Sequence, residues 1–103
     1  MFINEYKTRA WPWVGCPALL KLSDGRVVRG HHTGGSWKVR GTKLSLSGDT
    51  QSPWAGEVLH VVGWQLDPDR AAHPDTVTAY QRGLSEHLRQ QHAATVESSA
   101  LAA

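Results

Sequence analysis

One cysteine, one phenylalanine and one methionine among 103 residues set the first limits on this chain. With Cys16 alone, no intramolecular disulfide can form, and no zinc site can be built from several thiolates. A lone thiol fits a reducing compartment. No stretch approaches the ~20 consecutive apolar residues that a membrane-spanning helix needs. Met1 to Lys7 hold no apolar run of signal-peptide length, so the expected location is the cytoplasm. Charge is also sparse, at 19% of residues with a net +2. That argues against an acidic mimic of DNA.

Catalytic signatures are missing too. No Gly-x-Ser-x-Gly elbow surrounds any serine, and Cys16, between Gly15 and Pro17, has no evident partner. Asp24 and Asp49 lie in turn-forming stretches, where Asp has a structural job, and Asp67 and Asp69 flank Pro68 in another. The glycines of Gly30-His-His-Thr-Gly34-Gly35 join strand to strand, whereas phosphate-cradling loops join strand to helix. Six histidines are present, but their spacing is wrong for a shared metal. His31 and His32 are adjacent on a strand and point to opposite faces. His87 and His92 are five apart on a helix, not four. His60 sits among apolar residues and reads as a hydrogen-bonded core side chain. The expectation is a non-enzymatic chain with no metal and no cofactor.

What is abundant is tryptophan: Trp11, Trp13, Trp37, Trp54 and Trp64. Each can bury about 200 Å², so a few supply much of a small core. Trp11 and Trp13 lie in an N-terminal arm, residues 1–17, where Pro12 and Pro17 disfavour a helix or a central strand. Two apart in extended chain, they point the same way, either capping the core or forming an exposed aromatic platform. Trp54 lies in a polar loop between residues 47 and 56.

The central feature is residues 26–41, two strands with basic residues alternating against apolar ones. Asp24-Gly25 and Gly34-Gly35 both read as two-residue hairpin turns. That choice pairs Leu22 with Val27, Leu20 with Arg29, His32 with Trp37 and Gly30 with Val39. One face then carries Leu19, Val28, His32, Trp37 and Val39. The other carries Arg29, His31, Lys38 and Arg40, extended by Lys21, Arg26 and Lys43, with Leu20, Leu22 and Val27 left on this basic side. Leu44 and Leu46 read as inward-facing. Residues 57–66 read as a central strand covered on both faces. Beyond Asp67, Pro74 starts a helix with Val77, Tyr80, Leu84 and Leu88 in one stripe and Arg82 and Glu86 as i,i+4 neighbours. The helix is expected over residues 74–93, with residues 95–103 as a flexible tail. The expected fold is one α+β domain, residues 1–94: an antiparallel sheet of four to five strands, open or curled into a small barrel, with a C-terminal helix packed on it.

Three runs carry a resemblance: Ala18 to Gly30 with its Ser23-Asp24-Gly25 turn, Gly34-Gly35-Ser36-Trp37, and Gly56-Glu57-Val58-Leu59-His60 with Trp64. Together, over about residues 17–68, they resemble a family of small phage and prophage β-sheet domains of unknown function. In that family the last strand typically ends His-Trp-Met-Pro-Leu-Pro. Here His60 and Trp64 stand four apart, and Gln65-Leu66-Asp67-Pro68 replaces the proline-rich end. The resemblance implies a phage or mobile-element setting and an accessory role, and it carries over no functional residues. The expected function is therefore surface docking as a modulator or inhibitor of a host or defence protein, of the anti-CRISPR kind. Arg29, His31, Lys38 and Arg40 would form the docking face, and Trp11, Trp13 and Trp54 the aromatic anchors. The alternative is nucleic-acid binding by the same face. The expected assembly is a monomer or homodimer.

Overall fold

A computed structural model describes residues 1–48 and 58–102, with 95–102 described by their backbone. Five strands, β1 (Pro17–Leu22), β2 (Val27–His32), β3 (Trp37–Val39), β4 (Ser45–Leu46) and β5 (Val61–Leu66), form one antiparallel sheet in the order β4-β3-β2-β1-β5. The sheet is open, not closed into a barrel. A short helix α1 (Glu5–Thr8) and a long C-terminal helix α2 (Pro74–Ala102) complete an α+β domain.

The N-terminal arm is not wholly extended, as the prolines suggested. Before Pro12, the Asn4 side chain accepts hydrogen bonds from the N–H groups of Tyr6 and Lys7, each at 3.0 Å, and so caps α1. The turn ends at Arg9, whose φ of +53° is left-handed. Preceding it, Ile3 pairs with Trp64 through two backbone hydrogen bonds of 2.9 and 2.8 Å. The outer edge of β5 is thereby covered. This corrects the expected central position of β5, which is the last strand of the sheet and begins at Val61.

The first hairpin also differs. Leu22 N–H donates to Arg26 O, and Gly25, with φ +92°, closes a three-residue loop with Ser23 and Asp24. Such loops place a left-handed residue before the return strand, and Asp-Gly suits them as well as it suits the two-residue turn. The added residue shifts the register by one: Leu20 faces Val28, and Leu19 faces Arg29. Leu20 and Leu22 therefore join the core, and Leu19 moves to the basic side. The second hairpin has the expected register, with His32 opposite Trp37 and Gly30 opposite Val39. Between Lys21 and Leu22 the pairing with β5 skips Val62, a bulge that turns both Val61 and Trp64 inward. Leu44 is 51% exposed, so of the Leu44–Leu46 pair only Leu46 is buried.

The core lies between the inner sheet face and the helical layer. Ile3, Ala18, Leu20, Trp37 and Trp64 are fully buried. One Trp taken out of water contributes about 5 kcal/mol before conformational entropy is charged, from about 200 Å² at about 25 cal/mol per Å². Tyr80 of α2 packs on Trp64 with ring centroids 5.4 Å apart, while Leu88 lies beyond the contact and is 46% exposed. Glu86 pairs with Arg89 and Gln90 instead of Arg82. The Arg89 guanidinium, with Gln90, holds the Glu86 carboxyl down at about 2. The helix continues through the residues expected to be a tail. After Gly83 it meets no proline or glycine, and its alanines and Leu101 are strong helix formers.

At Gly83, α2 lies close against the arm. A Cβ there would lie 2.5 Å from Ile3 Cδ1 and 2.6 Å from Ala10 Cβ. Gly83→Ala should destabilise by about 1–3 kcal/mol through overpacking, although Ala gains about 1 kcal/mol in helix propensity. Thr78→Ala, at an exposed position on the same helix, should be neutral or slightly stabilising. Urea denaturation of both variants checks this, and an unchanged or raised midpoint for Gly83→Ala would show the contact to be loose.

Candidate functional site

The sheet has two unlike sides. Its inner face is covered by the helical layer. Its outer face presents Leu19 and Lys21 of β1, Val27, Arg29 and His31 of β2, Lys38 of β3, and Arg40 just beyond it. The alternation that buries Trp37 and His32 sends His31 and Lys38 outward as directly opposed neighbours. Arg40 N–H donates to Arg29 O at 2.8 Å and so continues the ladder one step. No strand contributes a carboxylate to this face. Four of the predicted site residues, Arg29, His31, Lys38 and Arg40, are therefore on one surface.

They are not equivalent. Arg29 Nε lies 3.5 Å from Asp67 Oδ2, and its Nη2 is bonded to Asp69. Asp67 is buried, its other oxygen accepting the N–H of Asp69 at 2.9 Å. Among the described residues Asp67 Oδ2 accepts no hydrogen bond, so its contact with Arg29 is charge on charge. Arg29 is thus an internal counter-ion for a buried carboxylate. Lys38 and Arg40 have no ion pair among the described residues. Arg26, read as an extension of the face, is committed to Asp24 at 2.6 Å in the hairpin loop. The Arg26 backbone N–H and guanidinium hold the Asp24 carboxyl below its usual range.

Arg29, His31 and Arg40 converge with Asp67 and Arg70 on a cleft of about 50 Å³, whose far wall is Gly15 and Pro17. That wall belongs to the arm carrying Trp11 and Trp13, which are 44% and 52% exposed. Neither ring is buried in the core. Trp13 stacks on His73, with centroids 4.2 Å apart and planes 23° from parallel. Its backbone N–H donates to Thr76 Oγ1 at 2.8 Å, tying the arm to the start of α2. Trp54 lies outside the described residues. Sequence reading missed Asp67, Arg70 and His73. Asp67-Pro68-Asp69 and the helix cap were visible as local chemistry, but their proximity to Arg29 and Trp13 depends on tertiary structure. Cys16 is buried, and its sulfur accepts the His73 N–H at 3.4 Å. His60 is buried and bonded to Val58 O at 2.9 Å, as a core histidine should be.

Among the described residues no three His, Cys, Asp or Glu side chains gather as metal ligands would. No helix among them is long and apolar enough to cross a membrane. The arrangement defines a small α+β domain with one open basic sheet face. Comparisons with protein-family models, with curated proteins and with solved structures returned no match.

The division of labour among the cations is measurable. Arg29→Ala leaves Asp67 buried without its counter-ion. It should cost about 1–2 kcal/mol of stability, less than a fully buried pair because the guanidinium is half exposed. Lys38→Ala should stay within about 0.5 kcal/mol of the parent. Equal urea midpoints for the two variants would remove the distinction.

Proposed function

We propose that this chain is a small, non-enzymatic binding protein that captures an acidic protein partner on the open face of its sheet. The observation that carries this reading is the outer face itself, where Lys21, His31 and Lys38 on the strands and Arg40 just beyond β3 have no strand carboxylate to neutralise them. A surface of one sign on a fixed scaffold speeds encounter with an opposite surface and rejects wrong partners. The resemblance over residues 17–68 adds the setting: a phage or prophage protein acting in the bacterial cytoplasm as a modulator or inhibitor of a host or defence protein, an anti-CRISPR-like role included. Arg29 serves this face mainly by holding Asp67 in place, and Trp11 and Trp13 border it as anchors.

Affinity capture from bacterial host lysate, with the parent and the Lys38→Glu/Arg40→Glu variant side by side, tests the proposal. The captured protein should be acidic, and the variant should bind it at least about tenfold more weakly, mostly through a slower association rate. Undiminished capture by the variant would sink the site assignment.

A second reading, single-stranded nucleic-acid binding, is favoured by one specific feature. The stacked, half-exposed Trp13 stands beside the arginine-lined cleft, and aromatic rings next to cations suit bases and phosphates. It requires quenching of Trp fluorescence by oligothymidine, a steep salt dependence, and loss of binding of about tenfold in Trp13→Ala. A titration that leaves the fluorescence flat at low salt would end this alternative.

A further inference from the structure

A second charged surface lies in the helical layer, in the groove between α1 and α2. The groove has a volume of about 430 Å³, in the range of small-molecule sites. Its walls carry four cations, Lys7, Arg9, Arg82 and Arg89, against one carboxylate, Glu86. Glu86 is already bonded to Arg89 and Gln90. Lys7, Arg9 and Arg82 have no carboxylate partner among the described residues. Two of the carbonyls at the end of α1, which would repel an anion, are occupied: Arg82 Nη2 donates to Arg9 O at 3.0 Å, and Gln90 Nε2 to Lys7 O at 2.9 Å. The same two bonds fix the width of the groove.

Arg9 adds an independent sign of use. It occupies the helix C-cap with φ +53° and ψ +40°, a conformation that glycine or asparagine adopts at least cost. An arginine here trades backbone strain for a guanidinium at the mouth of the groove. The lining includes no aromatic and no large aliphatic side chain, so it offers nothing for a base or an acyl chain to stack on. What it offers is several convergent N–H donors of one charge.

We propose that this groove binds a multiply charged phosphoryl anion of the pyrophosphate or triphosphate kind. The site is separate from the sheet face and stands whether or not that face captures a protein. Calorimetric titration of the full chain with inorganic tripolyphosphate at low ionic strength is the test. The parent should bind. Arg9→Gly should bind about tenfold more weakly while its melting temperature holds or rises, because the strained cap is relieved. Arg82→Gln should weaken binding similarly. Arg26→Gln, which removes the same charge from a distant hairpin loop, should leave the affinity unchanged. No heat from the folded parent, or equal affinity in Arg9→Gly, would overturn the proposal. Duplex DNA is titrated as a second arm. Arg9-dependent binding of the duplex without binding of tripolyphosphate would overturn the small-anion assignment in favour of a nucleic-acid backbone.

Discussion

The fold depends on Trp64 more than on any other residue. Its backbone pairs with Ile3 on one side, and it faces Leu20 across the ladder on the other. Its indole N–H donates to Ala10 O at 3.1 Å, and its ring packs between Tyr80 and Trp37, at 5.4 and 6.3 Å. One side chain thus ties the N-terminal strand, the arm, the sheet and the long helix together. Each of these pieces is weak alone. A four-residue helix cannot persist in water, and β4 has two residues. Their order is borrowed from the burial of this tryptophan and its neighbours. The bulge at Val62 has the same cause, since without it Val61 and Trp64 would not both turn inward.

A buried carboxylate supplies the specificity that apolar packing lacks. Glu5 Oε1 accepts the Trp37 indole N–H at 3.1 Å, and Oε2 lies 3.2 Å from His32 Nε2, off the line of a directed hydrogen bond. His32 Nδ1 accepts the Gly34 N–H at 3.2 Å, which leaves Nε2 as the ring nitrogen nearer Glu5. Leaving an acid at this depth without such partners would cost several kcal/mol. The arrangement also explains Gly48, where a Cβ would come 2.1 Å from Glu5 Oε1 and 2.8 Å from Trp37 Nε1. The acid therefore fixes how α1 sits on the sheet, and the sheet's second hairpin helps to hold the acid.

These couplings mark the boundary of what could be read from the chain alone. The separation of Trp37 and Val39 from Arg29, His31, Lys38 and Arg40 was legible, because Gly34-Gly35 fixes a register and a period of two does the rest. The first hairpin was misread because Asp-Gly serves both two- and three-residue loops, and a slip of one residue exchanges Leu19 for Leu20 between faces. That Gly83 meets Ile3 and Ala10 was not legible. Glu5 was illegible, since nothing near it in sequence foretells partners at positions 32 and 37. The same holds for Asp67 and for the groove cations, which are separated by more than seventy residues between Lys7 or Arg9 and Arg82 or Arg89. Local chemistry reveals turns, caps and alternation, and charge constellations emerge only after the chain has closed.

The resulting distribution of charge is uneven in a way that bears on docking. On the β1–β2 side of the open face, Arg29 is neutralised by Asp67 and Asp69. The cations of this face without an ion pair among the described residues are Lys21 on β1 and, towards β3, Lys38 and Arg40. There the sheet ends in the two-residue β4, with Leu44 exposed beside it. An edge this short offers little backbone to pair with, so it resists strand-to-strand association. A partner approaching this corner meets fixed side-chain charge and an apolar contact, not an open ladder. If the sheet face docks a partner as proposed, this geometry favours recognition by side chains instead of by sheet extension, and the sign of the charge at Lys38 and Arg40 would then select the partner.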